Sequence, residues 1–242
     1  MPATWADRAL RGVLWDLDGT LLDTVGDISL ALNRSLADLA LPGVPTEAVR
    51  SMIGRGSPIL IQRALELNKV TVHEAARAAL FDRFLVHYQR LQDEDESTAR
   101  AYPGAARALE RLRELGLKMA CVTNKQHSLA VCSLEHAGLA RYLDLVVGGD
   151  TCERRKPAPD PLWHACRELG VPVDQTLMVG DSNNDVLAAR AAPMPVVCVP
   201  YGYNEGHDPR TLRCDGRVET LADLPALLGL GPDEATTDSG NA

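Results

Sequence analysis

Aromatic side chains are scarce in this 242-residue chain, where Phe, Trp and Tyr together make up 4%. A core for such a chain rests on Leu, Val, Ala and Ile, packed as aliphatic volume rather than stacked rings. No apolar run approaches the ~20 residues that a membrane-spanning helix needs. Residues 1–11 are polar and mixed in charge, without a secretory pattern. Positive charge is in deficit, with 25 Lys and Arg against 33 Asp and Glu and a formal net charge of −8. That balance offers no long-range attraction to nucleic acid or to an anionic membrane. An anionic small substrate would need a locally positive pocket working against the global field. The six cysteines (Cys121, Cys132, Cys152, Cys166, Cys198, Cys214) form no Cys-x-x-Cys pair. Zinc-cluster spacing is therefore excluded, and the thiols read as small hydrophobes of a reduced, cytoplasmic protein.

What the chain has is alternation, without internal repeats. Apolar runs at 12–16, 118–123, 143–148, 176–180 and 195–200 read as buried strands. Helical patterns at 105–115, 126–137, 159–169 and 185–192 lie between them. Strand followed by helix, repeated, predicts an α/β fold with a Rossmann-like parallel sheet covered by helices on both faces.

The interval 24–96 breaks this rhythm. It carries helical patterns at 25–39, 46–52, 58–67 and 71–92 and no convincing strand. Thr71 and Glu74 have the spacing of a capping box for the last of these. The expected organisation is an α/β core from 1–22 and 97–230, an all-helical cap at 23–96 and a disordered tail at 231–242. A cap inserted after the first strand stands over the carboxyl ends of the strands, where open α/β sheets bind ligands. The acidic run Asp93-Glu94-Asp95-Glu96 reads as a solvated hinge.

The sharpest chemical signal is Asp16-Leu17-Asp18-Gly19-Thr20, directly after the apolar Gly12-Val13-Leu14-Trp15. Strand periodicity puts Asp16 and Asp18 on one side of the extending chain. Two carboxylates converging at a buried strand end repel and lose hydration, a cost that a hard divalent cation such as magnesium would relieve. A second apolar strand runs into Gly180-Asp181-Ser182-Asn183-Asn184-Asp185. Asp181 and Asp185 sit four apart, so a helix starting here brings both towards one face. Taken alone, the acids fit the helix dipole equally well. Lys156, in a loop stiffened by Pro157 and Pro159, is either a fixed cation for a phosphate or a surface base before a helix. Val122-Thr123-Asn124-Lys125 at another strand end makes an anion cradle or a helix cap.

Together and in this order, the four stretches resemble the signature motifs of the haloacid dehalogenase superfamily. The resemblance spans about 12–230, and the 24–96 helices match the position of the family's helical cap. Within that superfamily the chain is most similar to the bacterial phosphoglycolate phosphatases. That similarity rests on 15–24, on Val147-Gly148-Gly149-Asp150, on Lys156-Pro157 with Pro159-Asp160-Pro161, on Tyr201-Gly202-Tyr203-Asn204 and on 224–228. Two positions depart from the pattern: Pro193 stands where a glycine is expected, and Trp15 replaces a Phe.

The resemblance implies a magnesium-dependent phosphatase acting on a small phosphate ester. Asp16 would be the nucleophile and Asp18 the acid and base, with Thr123 and Lys156 on the phosphoryl oxygens. Asp16, the backbone carbonyl of Asp18, and Asp181 would bind Mg2+, supported by Asp185. Thr20, Asn124 and Arg55 would contact substrate. Arg55, in Gly54-Arg55-Gly56-Ser57, either reads a substrate carboxylate or lies exposed on a helix–helix turn. The six histidines share no metal spacing: His73 and His87 read as surface residues, His127 as a helix start. Tyr201 to Asn204 borders the site or forms a turn. A phosphomutase would use the same Asp16 and Asp18. A binding protein on a dead scaffold predicts loss of Asp16, Asp18, Lys156 or the acid at 181, and all are present. A monomer or homodimer is expected.

Overall fold

A computed structural model describes residues 9–230, so the predicted tail at 231–242 lies outside the described residues. Strand β1 (Gly12–Trp15) is buried along its whole length, as its unbroken apolar sequence requires of a central parallel strand. The short β2 (Leu22–Asp23) follows, then helices α1 (Val25–Ala37), α2 (Thr46–Met52), α3 (Ser57–Leu67) and α4 (Glu74–Asp93). After them come β3 (Arg100–Ala101), α5 (Ala105–Glu114), β4 (Lys118–Val122), α6 (His127–His136) and β5 (Leu145–Val147). The chain continues through α7 (Asp160–Leu169), β6 (Thr176–Gly180), α8 (Asn183–Ala191), β7 (Val196–Cys198), β8 (Gly216–Arg217) and α9 (Leu224–Leu227).

The main sheet is parallel, in the order β5-β4-β1-β6-β7-β8. Trp15 at the end of β1 stands opposite Cys121 on one side and Val179 on the other. Side-chain alternation along β1 feeds two cores. Val13 and Trp15 pack with Leu109 and Leu112 of α5 and Leu134 of α6, whereas Leu14 packs with Leu162 of α7 and Val186 of α8. The predicted Rossmann-like sheet covered on both faces is what forms.

Helices α1 to α4 gather a third core around Leu32, Val49, Ile61, Phe84 and Tyr88. Leu129 of α6 and Tyr203 belong to the same cluster, so the helical unit shares apolar contact with the sheet unit. Two devices hold the chain where it leaves and rejoins the sheet region. β2 and β3 pair antiparallel, Leu22 with Ala101 and Asp23 with Arg100. Nearby, the buried Asp27 accepts hydrogen bonds from Gln92 Nε2 (3.0 Å), Ser97 Oγ (2.6 Å), and the amide (2.7 Å) and hydroxyl (2.9 Å) of Thr98.

The capping box expected at Thr71 and Glu74 does not form. The chain is extended at His73 (φ −73°, ψ 164°) and α4 opens only at Glu74, so Thr71 falls ahead of the helix boundary. A capping box occurs instead at α8, between Ser182 and Asp185. His87 is not a plain surface residue. Its ring nitrogen meets Asp38 at 2.8 Å, and its side chain is 14% exposed.

Candidate active site

The chemistry-bearing residues collect at the carboxyl end of the sheet. Asp16 follows β1, Thr123 follows β4, Asp181 follows β6, and Lys156 lies between β5 and α7. Because β1 sits between β4 and β6, three of these positions are side by side, at the point where the strand order reverses direction. The amide of Asp16 donates to Val179 O at 2.9 Å, which carries the sheet ladder one residue past β1. Beyond Asp18 the chain turns back on itself: Leu17 O accepts from the amides of Thr20, Leu21 and Leu22. Gly19 makes this possible at φ +92°, and a Cβ there would lie 2.6 Å from Asp181 Oδ2.

Asp16, Asp181 and Asp185 each offer a carboxylate oxygen within 4.8 Å of the others, and all three are buried. Lys156 Nζ stands 2.9 Å from Asp16 Oδ1 and 2.7 Å from Asp185 Oδ1, and donates to Val122 O at 2.6 Å. Burial pushes the Asp16 carboxyl well above the usual carboxylate range; Asp185 and Asp181 push it further, and Lys156 pulls against them. Burial, then the charge of Asp185, raises Asp181 to about 7 despite hydrogen bonds from Tyr203 and Thr20. For Lys156, burial works against the charge, but Asp16 and Asp185 outweigh it and hold the ammonium above its ordinary range.

One ammonium faces three carboxyl groups, and the raised Asp16 and Asp181 mark a cluster short of positive charge and rich in hard oxygen donors. That donor set fits a divalent cation. All three carboxylates bring an oxygen to the group, and each has protein partners as well. Asp185 has both oxygens engaged: Oδ1 meets Lys156, while Oδ2 accepts from Ser182 N (3.0 Å), Ser182 Oγ (2.7 Å) and Asp181 N (3.2 Å). It orients the other two. Thr20 Oγ1 donates to Asp181 Oδ1 (2.9 Å) and the amide of Tyr203 to Asp181 Oδ2 (2.7 Å).

The carboxylate of Asp18 stands apart from this cluster. Its Oδ1 accepts from Thr24 Oγ1 at 2.7 Å and from Lys125 Nζ at 3.0 Å. Asp16 and Asp18 thus have different lysine partners, Lys156 for the first and Lys125 for the second. Thr123 is buried beside the cluster, its Oγ1 accepting from the amide of Lys125 (3.1 Å). Asn124 acts as a brace, donating from Nδ2 to Gly54 O (2.8 Å) and to Lys156 O (2.9 Å). Arg55 is exposed and turned to Glu205, with Nε 2.8 Å from Oε1. Arg63 Nη2 meets the other oxygen of Glu205 at 2.5 Å.

Sequence reasoning did not single out Lys125, Tyr203 or Glu205 as individual site residues. Lys125 directly follows the Thr123-Asn124 motif, and the other two fall in the segment after β7. Tyr203 OH donates to Asp23 Oδ1 (2.7 Å) and accepts from the amide of Thr24 (2.8 Å). His127 does open α6, its amide donating to Asp150 Oδ1 (2.7 Å).

The model of the haloacid dehalogenase-like hydrolase family matches residues 13–199. The chain belongs to that family, on its phosphatase branch. A plasmid phosphoglycolate phosphatase of Cupriavidus necator is 44% identical over 216 residues, covering 89% of this chain and 92% of the relative. The phosphoglycolate phosphatase of Nitrosospira multiformis is 41% identical, covering 90% and 96%. A crystal structure of a predicted phosphoglycolate phosphatase from Haemophilus somnus 129pt superposes with a TM-score of 0.84 at 30% identity, covering 90% of this chain and 98% of that one.

Proposed function

We propose that this hydrolase is a magnesium-dependent phosphatase that cleaves 2-phosphoglycolate to glycolate and phosphate, through an aspartyl-phosphate on Asp16. The observation that carries the reading is the separation of two carboxylates at one strand end. Asp16 lies in a buried cluster with Lys156, and Asp18 lies outside it on Lys125 and Thr24. A nucleophile and an acid–base group need such different surroundings.

In this mechanism a carboxylate oxygen of Asp16 attacks phosphorus, the phosphorus–ester bond breaks, and Asp18 gives its proton to the departing glycolate oxygen. Water then attacks phosphorus, Asp18 takes its proton, and the Asp16 carboxylate is regenerated as phosphate leaves. Lys156 and Thr123 hold the phosphoryl oxygens, since phosphoryl transfer is chiefly positioning and charge neutralisation. Magnesium, held by Asp16 and Asp181, would reduce repulsion between the nucleophile and the dianionic substrate. The helical unit 23–96 serves as the cap over this site. Six free thiols suit a reducing, cytoplasmic setting.

The test is phosphate release from 2-phosphoglycolate against a panel of phosphorylated metabolites, with and without magnesium. The reading predicts that 2-phosphoglycolate leads the panel in kcat/KM and that activity needs the cation. Isomerisation of a sugar phosphate without net phosphate release would sink it.

A further inference from the structure

Arg55 was the sequence's candidate for reading a substrate carboxylate, but its guanidinium is engaged with Glu205 on the protein's outside. A different cation faces the inside. Lys125 is buried, with its side chain 4% exposed, and it lines a small pocket of about 30 Å³ between α3, α4, α6 and the turn before α3. The rest of the lining is mostly apolar, including Ile28, Ile53, Leu60 and Phe84, with Ser57 at the rim of α3.

The position of Lys125 fixes which part of a substrate it would meet. Its Nζ is 3.0 Å from Asp18 Oδ1, and Asp18 must touch the ester oxygen that departs. Lys125 therefore stands on the leaving-group side, opposite the Lys156 end of the site. An ammonium has three donors. One is directed to Asp18 and another towards Tyr88, whose ring centroid lies 4.2 Å from Nζ, which leaves one of the three for a ligand oxygen. The N-terminal end of α3, which favours negative charge, opens on the same pocket at Gly56 and Ser57.

Resting on the phosphatase reading above, we infer that Lys125 is the specificity-determining residue that binds the carboxylate of the leaving group, selecting short phosphate esters that carry an acid beside the ester carbon. A cation in an otherwise apolar, water-poor pocket discriminates strongly, because a neutral leaving group leaves its donor without a partner.

The test compares 2-phosphoglycolate with its neutral counterpart 2-hydroxyethyl phosphate, taking the ratio of their kcat/KM values. Loss of the Asp18 contact slows both substrates, so only the ratio reports carboxylate reading. Lys125→Met should lower the ratio roughly 10- to 100-fold, the worth of a charge-assisted hydrogen bond. Lys125→Gln keeps a donor for Asp18 and should lower it similarly, which covers a Met variant that fails to fold. Arg55→Ala should leave the ratio within about twofold of the wild type, as expected of a side chain that meets no substrate. A ratio unmoved by both Lys125 variants, or moved equally by Arg55→Ala, overturns the inference while leaving the phosphatase reading intact. A wild type with no preference for 2-phosphoglycolate overturns both.

Discussion

The ammonium of Lys156 lies 2.7 Å from Asp185 Oδ1, and both side chains are almost wholly shielded from water, at 1% and 0% exposure. Asp185 is four residues beyond Asp181 on α8, while Lys156 arrives from the loop before α7. The pair thus joins two stretches that the sheet brings together from far apart in sequence. Asp185 fixes Lys156 against Asp16 through one oxygen and fixes the Asp181 loop through the other.

Breaking that pair should be costly for folding as well as for catalysis. Lys156→Met leaves three buried carboxylates without their cation, and Asp185→Asn leaves Lys156 with Asp16 alone. Each is expected to lower unfolding free energy by about 3–5 kcal/mol, the usual cost of stranding a buried charge. The double variant should cost less than the two singles added, because one partner no longer strands the other. Urea denaturation of the metal-free protein measures all three. Purely additive losses would show that the two groups do not act as a pair.

Cation binding should show itself apart from turnover. A ligand at a hundredfold excess over its Kd stabilises the folded state by about 2.7 kcal/mol, or roughly 5–10 °C in Tm for a chain of this size. Magnesium is expected to raise the wild-type Tm on that scale, and Asp181→Asn to abolish the rise. Asp16→Asn should lower phosphate release at least roughly 10³-fold, since removing a covalent nucleophile can cost up to about 10⁶. A Tm response that survives Asp181→Asn would place the cation elsewhere.

The parts of the fold legible in the sequence are those whose signal is local. β1, β4 and β6 show as continuous apolar runs because parallel central strands are buried on both faces. The convergence of Asp16, Asp181, Asp185 and Lys156 was legible too, since Asp16 and Asp181 directly follow strands, Asp185 and Lys156 lie in the helix start and loop beyond strands, and parallel strands end on one side. The two-residue strands β2, β3 and β8 carry too little pattern to be seen. Lys125 and Glu205 were missed for a different reason. Their partners lie 107 and 150 positions away, at Asp18 and Arg55, and no spacing rule reaches that far. Arg55 was correctly placed on a helix–helix turn, but its partner decides where it points.

Gly202 offers a test of how tightly the cluster is packed. A Cβ at this position would lie 2.2 Å from the Asp181 side chain, closer than any relaxed contact allows. Gly202→Ala should therefore displace Asp181, cutting magnesium-dependent activity at least roughly tenfold through misplacement of a catalytic group by less than an ångström. The KM for magnesium should rise in parallel. Unchanged cation dependence would mean that the 201–203 loop gives way instead of the carboxylate.

Glu205 joins the helical unit to the sheet unit, and its contribution should depend on pH in a definite direction. Its carboxylate accepts from Arg55, Arg63 and Asn184, bridging α3 and the preceding turn to α8. Burial alone would raise its pKa, but the hydrogen bonds from Arg63, Arg55 and Asn184 outweigh burial and hold the carboxyl below its ordinary 4.5. A depressed folded-state pKa means that the unfolded chain binds the proton more readily. The stabilisation is then fully present above about pH 4.5 and is lost as pH falls through the lower folded value. Glu205→Gln is expected to lower Tm by roughly 2–4 °C at pH 7, with the gap to wild type closing as the buffer is taken from pH 5 to about pH 3. High salt should narrow the gap at pH 7 as well, because the Arg55 arm is exposed. A gap that stays constant across the acid range would mean that Glu205 contributes by packing, and that its charge does not latch the two units together.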